Sequence, residues 1–280
     1  MKNRIAAFAT WILVLSICFM GSACEIMPDS SKDIDELLEE STKLNSDDPN
    51  AIYTCVEKDL KVENHQGVAA LRTKMWTVGQ VLRVKFMDSL SNTLRLRIEK
   101  AAREWELYAN VRLQFVRRGK AEIRIGLNPR EGSWSYMGRD ALYLDSLSKT
   151  MNFGWFTDRT PDYEIRRTTL HEFGHALGLI HEHQNPLQNI QWDVEKVYAY
   201  YAQTQGWSRQ DVDQNLFRKY SSSQTQFCRY DPLSIMHYSV PKQLTLDGFE
   251  VRWNFQLSVE DKSFIGRMYP FKGPRLNTCP

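Results

Sequence analysis

Eleven consecutive residues, His171-Glu172-Phe173-Gly174-His175-Ala176-Leu177-Gly178-Leu179-Ile180-His181, constrain this chain more than any other stretch of it. Side chains four apart on a helix project from one face, so His171 and His175 are spaced to grip one divalent ion. Glu172 is turned away by about a quarter of a circle, which sets its carboxylate beside such an ion rather than on it, where it serves as a base. His181 lies too far along one straight helix to reach the same ion. Gly178 removes the difficulty, because glycine adopts the positive φ that ends a helix and lets the chain turn back with a third imidazole. Three protein ligands and one open position are what a catalytic zinc requires. The first five residues arise by chance in about one chain per hundred of this length, the extended string in roughly one per hundred thousand. Histidines packed in a helix without metal are therefore the weaker explanation.

The rest of the chain predicts an α+β domain around that helix. Val81–Phe86 alternates apolar and charged residues as a half-buried strand does. Leu94, Ile98, Ala101, Ala102, Trp105 and Tyr108 recur at helical spacing behind the capping candidates Ser91 and Asn92. Residues 111–116 and 121–127 alternate again, with Arg112, Gln114, Glu122 and Arg124 on the polar side. Residues 132–138 and 150–155 are candidate strands near the sheet edge, separated by a loop at 140–148. Asp193 and Ser208 cap two helices whose apolar faces are Val197, Tyr198 and Tyr201, then Val212, Leu216 and Phe217. A last helix starts at Ser258, turns Ile265, Met268 and Tyr269 inward, and stops at Pro270. Strands first and helices last suggest a mixed sheet with a helical C-terminal part.

The string HExxHxxGxxH, followed by Ser234-Ile235-Met236-His237-Tyr238, resembles the metzincin clan of zinc peptidases. The resemblance implies a zincin catalytic domain with a twisted mixed sheet, one catalytic Zn2+ on His171, His175 and His181, and Glu172 as general base. It also implies that Met236 packs beneath the three imidazoles, although an ordinary core methionine would look the same in sequence. Glu182 directly after His181, and the Ser-Ile-Met-His-Tyr string, look most like the astacins, with a matrixin-like member as second choice. In astacins the tyrosine two past the methionine is a further zinc ligand that swings to the reacting oxyanion, and Tyr238 holds that position. The chain departs from both groups upstream. It has no Phe-x-Gly-Asp segment of the astacin kind, and Tyr53-Thr54-Cys55-Val56 does not match the Pro-Arg-Cys-Gly latency segment of matrixins. Cys55 accordingly reads as a disulfide partner or free thiol before it reads as a latency switch. No motif speaks for the calcium sites of some relatives.

The N-terminus carries Lys2 and Arg4, an apolar run over residues 5–20, and the small residues Gly21 and Ala23. That is the pattern of a cleaved leader at 1–23, and it implies export, to the medium or the cell envelope. Cys24 resembles the lipidated first residue of bacterial lipoproteins, with Gly21 where that pattern usually has leucine, so a lipid anchor and plain secretion both stand. Residues 24–70 are polar and acidic and read as a linker or pro-segment, with a short helix allowed at 33–44, leaving 71–280 as the catalytic domain. In an oxidising compartment Cys55, Cys228 and Cys279 are candidates for pairing, with Cys24 if it is not lipidated. A net charge of +2 leaves no basic surface of the kind nucleic acid needs.

A protein or peptide is the expected substrate, extended along an edge strand for which residues 132–137 are the candidate. The same residues could be a loop with two packing aromatics. His183, His237 and His65 read as loop or surface histidines rather than ligands. Arg166 and Arg167 read as solvent-facing or paired with acidic neighbours. The rival to an active peptidase is a weak or inactive binding protein of the same fold at the cell surface, against which the intact Glu172 speaks. Oligomeric state leaves no mark in the sequence.

Overall fold

The computed structural model describes residues 55–58, 74–220 and 229–271. The expected leader, Cys24, the helix at 33–44, His65, Cys228 and Cys279 lie outside the described residues.

Six strands form one mixed sheet in the spatial order β1 (Cys55–Lys58), β5 (Ser133–Tyr136), β6 (Met151–Asn152), β4 (Ile123–Gly126), β2 (Val81–Phe86) and β3 (Arg112–Phe115). Every neighbouring pair is parallel except β5 with β6. The period-two pattern of β2 works as expected: Leu82 and Val84 are buried while Val81 and Arg83 face solvent. Helix α1 (Asn92–Ala102) is capped by Ser91, whose Oγ accepts from the Leu94 amide at 3.0 Å, and it buries Leu94, Ile98, Ala101 and Ala102. The chain then tightens into a 3-10 turn over Arg103–Leu107, which carries Trp105 into the core and leaves Tyr108 half-buried. Trp105 Nε1 donates to the Leu170 carbonyl at 3.0 Å and so fastens this element to α2 (Asp162–Ala176).

Two expectations need correction. Arg124 is buried rather than on a polar face, because residues 138–150 fold over that side of β4. Its guanidinium donates to the carbonyls of Ala121, Ala141 and Ser148, which is how a buried cation offsets lost hydration. The span 140–148 is not all loop: a 3-10 turn occupies Gly138–Leu142, and the following strand is only Met151–Asn152.

The C-terminal part is helical. α3 (Val194–Gln205) starts at Asp193, which accepts from the Lys196 amide, and ends on Gly206 in the left-handed region. α4 (Arg209–Val212) starts from a Ser208–Asp211 capping box and runs into a π turn over Asp213–Phe217. Val197, Tyr201, Val212 and Leu216 build a second core together with Tyr238. α5 (Val259–Met268) instead joins the main core through Ile265, Met268 and the following Tyr269. The Tyr269 hydroxyl donates to the Leu177 carbonyl at 2.7 Å, at the end of α2.

Candidate metal centre

α2 places His171, Glu172 and His175 in its last turns and ends as the glycine requires. Gly178 has φ 95°, its amide donates to the His175 carbonyl at 2.8 Å, and the Leu179 amide donates to the Gly174 carbonyl at 2.9 Å. This closure satisfies the last carbonyls of the helix and reverses the chain toward His181. His175 Nδ1 then donates to the Leu179 carbonyl at 2.8 Å, and His171 Nδ1 to the Ile235 carbonyl at 2.8 Å. Both hydrogen bonds leave a lone pair on Nε2, as a metal ligand needs.

The three Nε2 atoms converge. His175 Nε2 lies 3.2 Å from that of His171 and 3.0 Å from that of His181. Zinc–nitrogen bonds of about 2.05 Å in a tetrahedron would separate nitrogens by roughly 3.3 Å. All three ligand atoms lie within 4.8 Å of one another, and among the described residues no other cluster of three His, Cys, Asp or Glu is placed to hold a metal ion. Burial holds His175 at a pKa of about 4 and keeps His171 and His181 well below the ordinary histidine value, so all three are neutral imidazoles, the form that can hold a metal ion. Glu172 is fully buried, and apart from the weak donor of the Cys55 thiol neither carboxylate oxygen has a hydrogen-bond partner. Burial pushes its pKa up to about 8, while the neighbouring Cys55 thiol and the Arg167 guanidinium pull it down. A buried carboxylate with no more than a thiol for a donor is costly unless a cation and its water stand beside it. The donor set therefore fits zinc.

The loop beneath is fixed from both sides. Met236 is buried and packs on α2: a Cβ at position 174 would collide with its Sδ. Gly174→Ala is expected to cost about 1–3 kcal/mol by overpacking and to weaken zinc retention, measured as a lower melting temperature with and without chelator. A variant that melts with the parent would show that this contact does not matter. Asp261, at N3 of α5, accepts from Ser234 Oγ at 2.6 Å, the Ile235 amide at 2.8 Å and the Ser258 amide at 2.9 Å. It thus holds the carbonyl that orients His171. Glu182 accepts from the Asp231 amide at 3.0 Å and Asn185 Nδ2 at 2.8 Å, while its own amide donates to the Met236 carbonyl at 3.0 Å.

Tyr238 stands beside the triad, its ring 4.4 Å from that of His181, and its hydroxyl donates to the Cys55 carbonyl. His183 is not a surface residue. It is buried, its ring lies 4.4 Å from that of Tyr238 and stacks on His181 at 5.1 Å, and it hydrogen-bonds the Asn215 carbonyl through Nε2. His237 is likewise buried, with Nε2 bonded to the Tyr230 hydroxyl. Both lie outside the ligand cluster. Arg166 pairs with Glu104 through two bonds of 2.7 Å. Arg167 is buried against Glu164 and stacks on Trp253 at 4.2 Å, so it does not face solvent.

Residues 132–137 do contain a strand, β5, but β1 already lies along it in parallel register, Cys55 opposite Ser133 and Lys58 opposite Tyr136. Cys55 is a free, buried thiol, its pKa raised by burial and by Glu172. Sequence reasoning missed Asp261 and the placement of β1. A capping box, Ser258-Val259-Glu260-Asp261, marks the first in the sequence; nothing local marks the second.

Comparison with known proteins follows the same line. The peptidase family described as Astacin matches residues 68–245. Two zinc metalloproteinases of Caenorhabditis elegans, nas-28 and nas-23, are each 28% identical to the chain, over 153 and 187 residues. These matches cover 54% and 66% of this chain but 28% and 30% of the relatives, so the chain spans under a third of their length. Two solved structures of myroilysin are similar: one is 49% identical with a TM-score of 0.70, covering 72% of this chain and 98% of that one. The other is 45% identical with a TM-score of 0.60, covering 80% and 93%.

Proposed function

The chain belongs to the astacin family of peptidases, and from that premise we propose that it is a zinc-dependent endopeptidase. Three converging Nε2 atoms beside the buried carboxylate of Glu172 carry the assignment. Zinc held by His171, His175 and His181 would supply a Lewis acid and lower the pKa of its water toward about 7. Glu172 accepts the proton of the attacking water and returns it to the leaving amine. Tyr238 offers its hydroxyl to the developing oxyanion, and its ring packs against the stacked pair of His181 and His183. Met236 and the Asp261-anchored loop keep His171 oriented.

The described form is latent in this proposal. β1 belongs to the 24–70 segment, covers the strand edge on which a substrate would lie, engages the Tyr238 hydroxyl through the Cys55 carbonyl, and sets the Cys55 thiol beside Glu172. That segment acts as a pro-segment ahead of a catalytic domain at 71–280. Export follows from the leader at 1–23, and Cys24 is the place for a lipid anchor. Substrates are proteins or peptides.

Casein or gelatin cleavage that a zinc chelator abolishes and zinc restores is the expected result. Cys55→Ala should raise basal turnover, about tenfold for each 1.4 kcal/mol of β1 docking it removes. A zinc-loaded Cys55→Ala chain that cleaves neither protein would instead be a binding protein with a peptidase fold.

A further inference from the structure

Lys58 occupies a seat that the hydrolytic chemistry does not explain. Its Nζ lies 3.4 Å above the Trp134 ring centroid and 5.9 Å from that of Tyr136. The two rings meet edge to face at 5.7 Å and stand on one side of β5, since residues two apart on a strand share a face. Glu131 is close enough to favour the charged ammonium, although it is also paired with Lys149 at 2.8 Å, and Lys149 opposes it. Burial is the main influence on Lys58 and lowers its pKa, so the cation is drawn out of water and held by ring faces.

We propose that the rings of Trp134 and Tyr136, with Glu131 beside them, form a substrate subsite for a lysine or arginine side chain, which Lys58 fills in the latent form. This rests on the peptidase reading. Any peptide extended along the outer edge of β5 sends alternate side chains to the face where these rings stand. Lys58 is three residues beyond Cys55, the residue beside Glu172, so the subsite lies a few residues from the bond cut, on the side of the peptide that pairs with β5. An aromatic face with a carboxylate nearby favours a cation over an isosteric alkyl chain, and an indole is the strongest ring for it.

The test uses the full-length Cys55→Ala chain with zinc and a set of fluorogenic peptides. A single lysine is walked along an otherwise constant sequence and compared at each place with norleucine. At one register kcat/KM should favour lysine by roughly 2- to 30-fold, and Trp134→Leu should abolish the preference while still cleaving the norleucine peptides. No lysine preference at any register, or a preference that survives Trp134→Leu, overturns the assignment and leaves the peptidase reading intact. Cleavage of no peptide at all refutes the peptidase reading instead. Amide hydrogen exchange across residues 56–58 reads the seat without activity: Lys58→Met should speed it and Lys58→Arg should not. Equal exchange in the parent and Lys58→Met would show that the rings do not hold the cation.

Discussion

Glu172→Gln is expected to bind zinc as the parent does while turning peptide over about 10²- to 10⁴-fold more slowly, the usual worth of a positioned general base. Glutamine preserves the shape of the side chain and leaves His171, His175 and His181 untouched, yet it cannot take the proton of the attacking water. The fully buried carboxylate has only the weak Cys55 thiol donor beside it, so a neutral amide there removes a desolvation cost. Without metal the variant should melt no lower than the parent. Metal content, melting temperature and steady-state kinetics are the measurements. A variant that keeps a tenth of parental turnover would rule Glu172 out as the base, and one that loses zinc would make it a ligand.

Asp261→Ala should have the largest effect on stability of any change outside the ligand set. It strips acceptors from Ser234 Oγ and the Ile235 amide, both buried, and from the part-buried Ser258 amide. Each buried donor left unsatisfied costs about 1–3 kcal/mol. The two buried donors together would cost about 2–6 kcal/mol, which lowers the melting temperature by roughly 4–24 °C in a domain of this size. Because the Ile235 carbonyl fixes the His171 ring, zinc affinity should fall as well, by about 10- to 100-fold. Calorimetry with and without chelator separates the two effects. If zinc affinity stays unchanged while stability drops, the path from α5 through the loop to His171 is not what orients the ligand.

How much of this is legible in the sequence depends on how local each contact is. His171, Glu172, His175 and His181 can be placed because helical periodicity and one glycine determine their geometry within eleven residues. Met236 and Tyr238 follow only from the family pattern, since nothing in the spacing of residues 171 and 236 brings them together. Arg124 misleads because alternation reports which residues share a face, not whether a later segment covers that face. His183 misleads for a similar reason: a short segment after the zinc helix looks exposed until α4 and its π turn close over it. β1 has only four residues, and its place is set entirely by pairing with Ser133–Tyr136, far along the chain.

The hydrogen bonds from Asp261 have a consequence for how the protein is made. All three histidines leave the ribosome well before Val259–Met268, but the loop that steadies the first of them is moored to that last helix. A nascent chain that carries every ligand therefore still lacks the scaffold for firm metal capture.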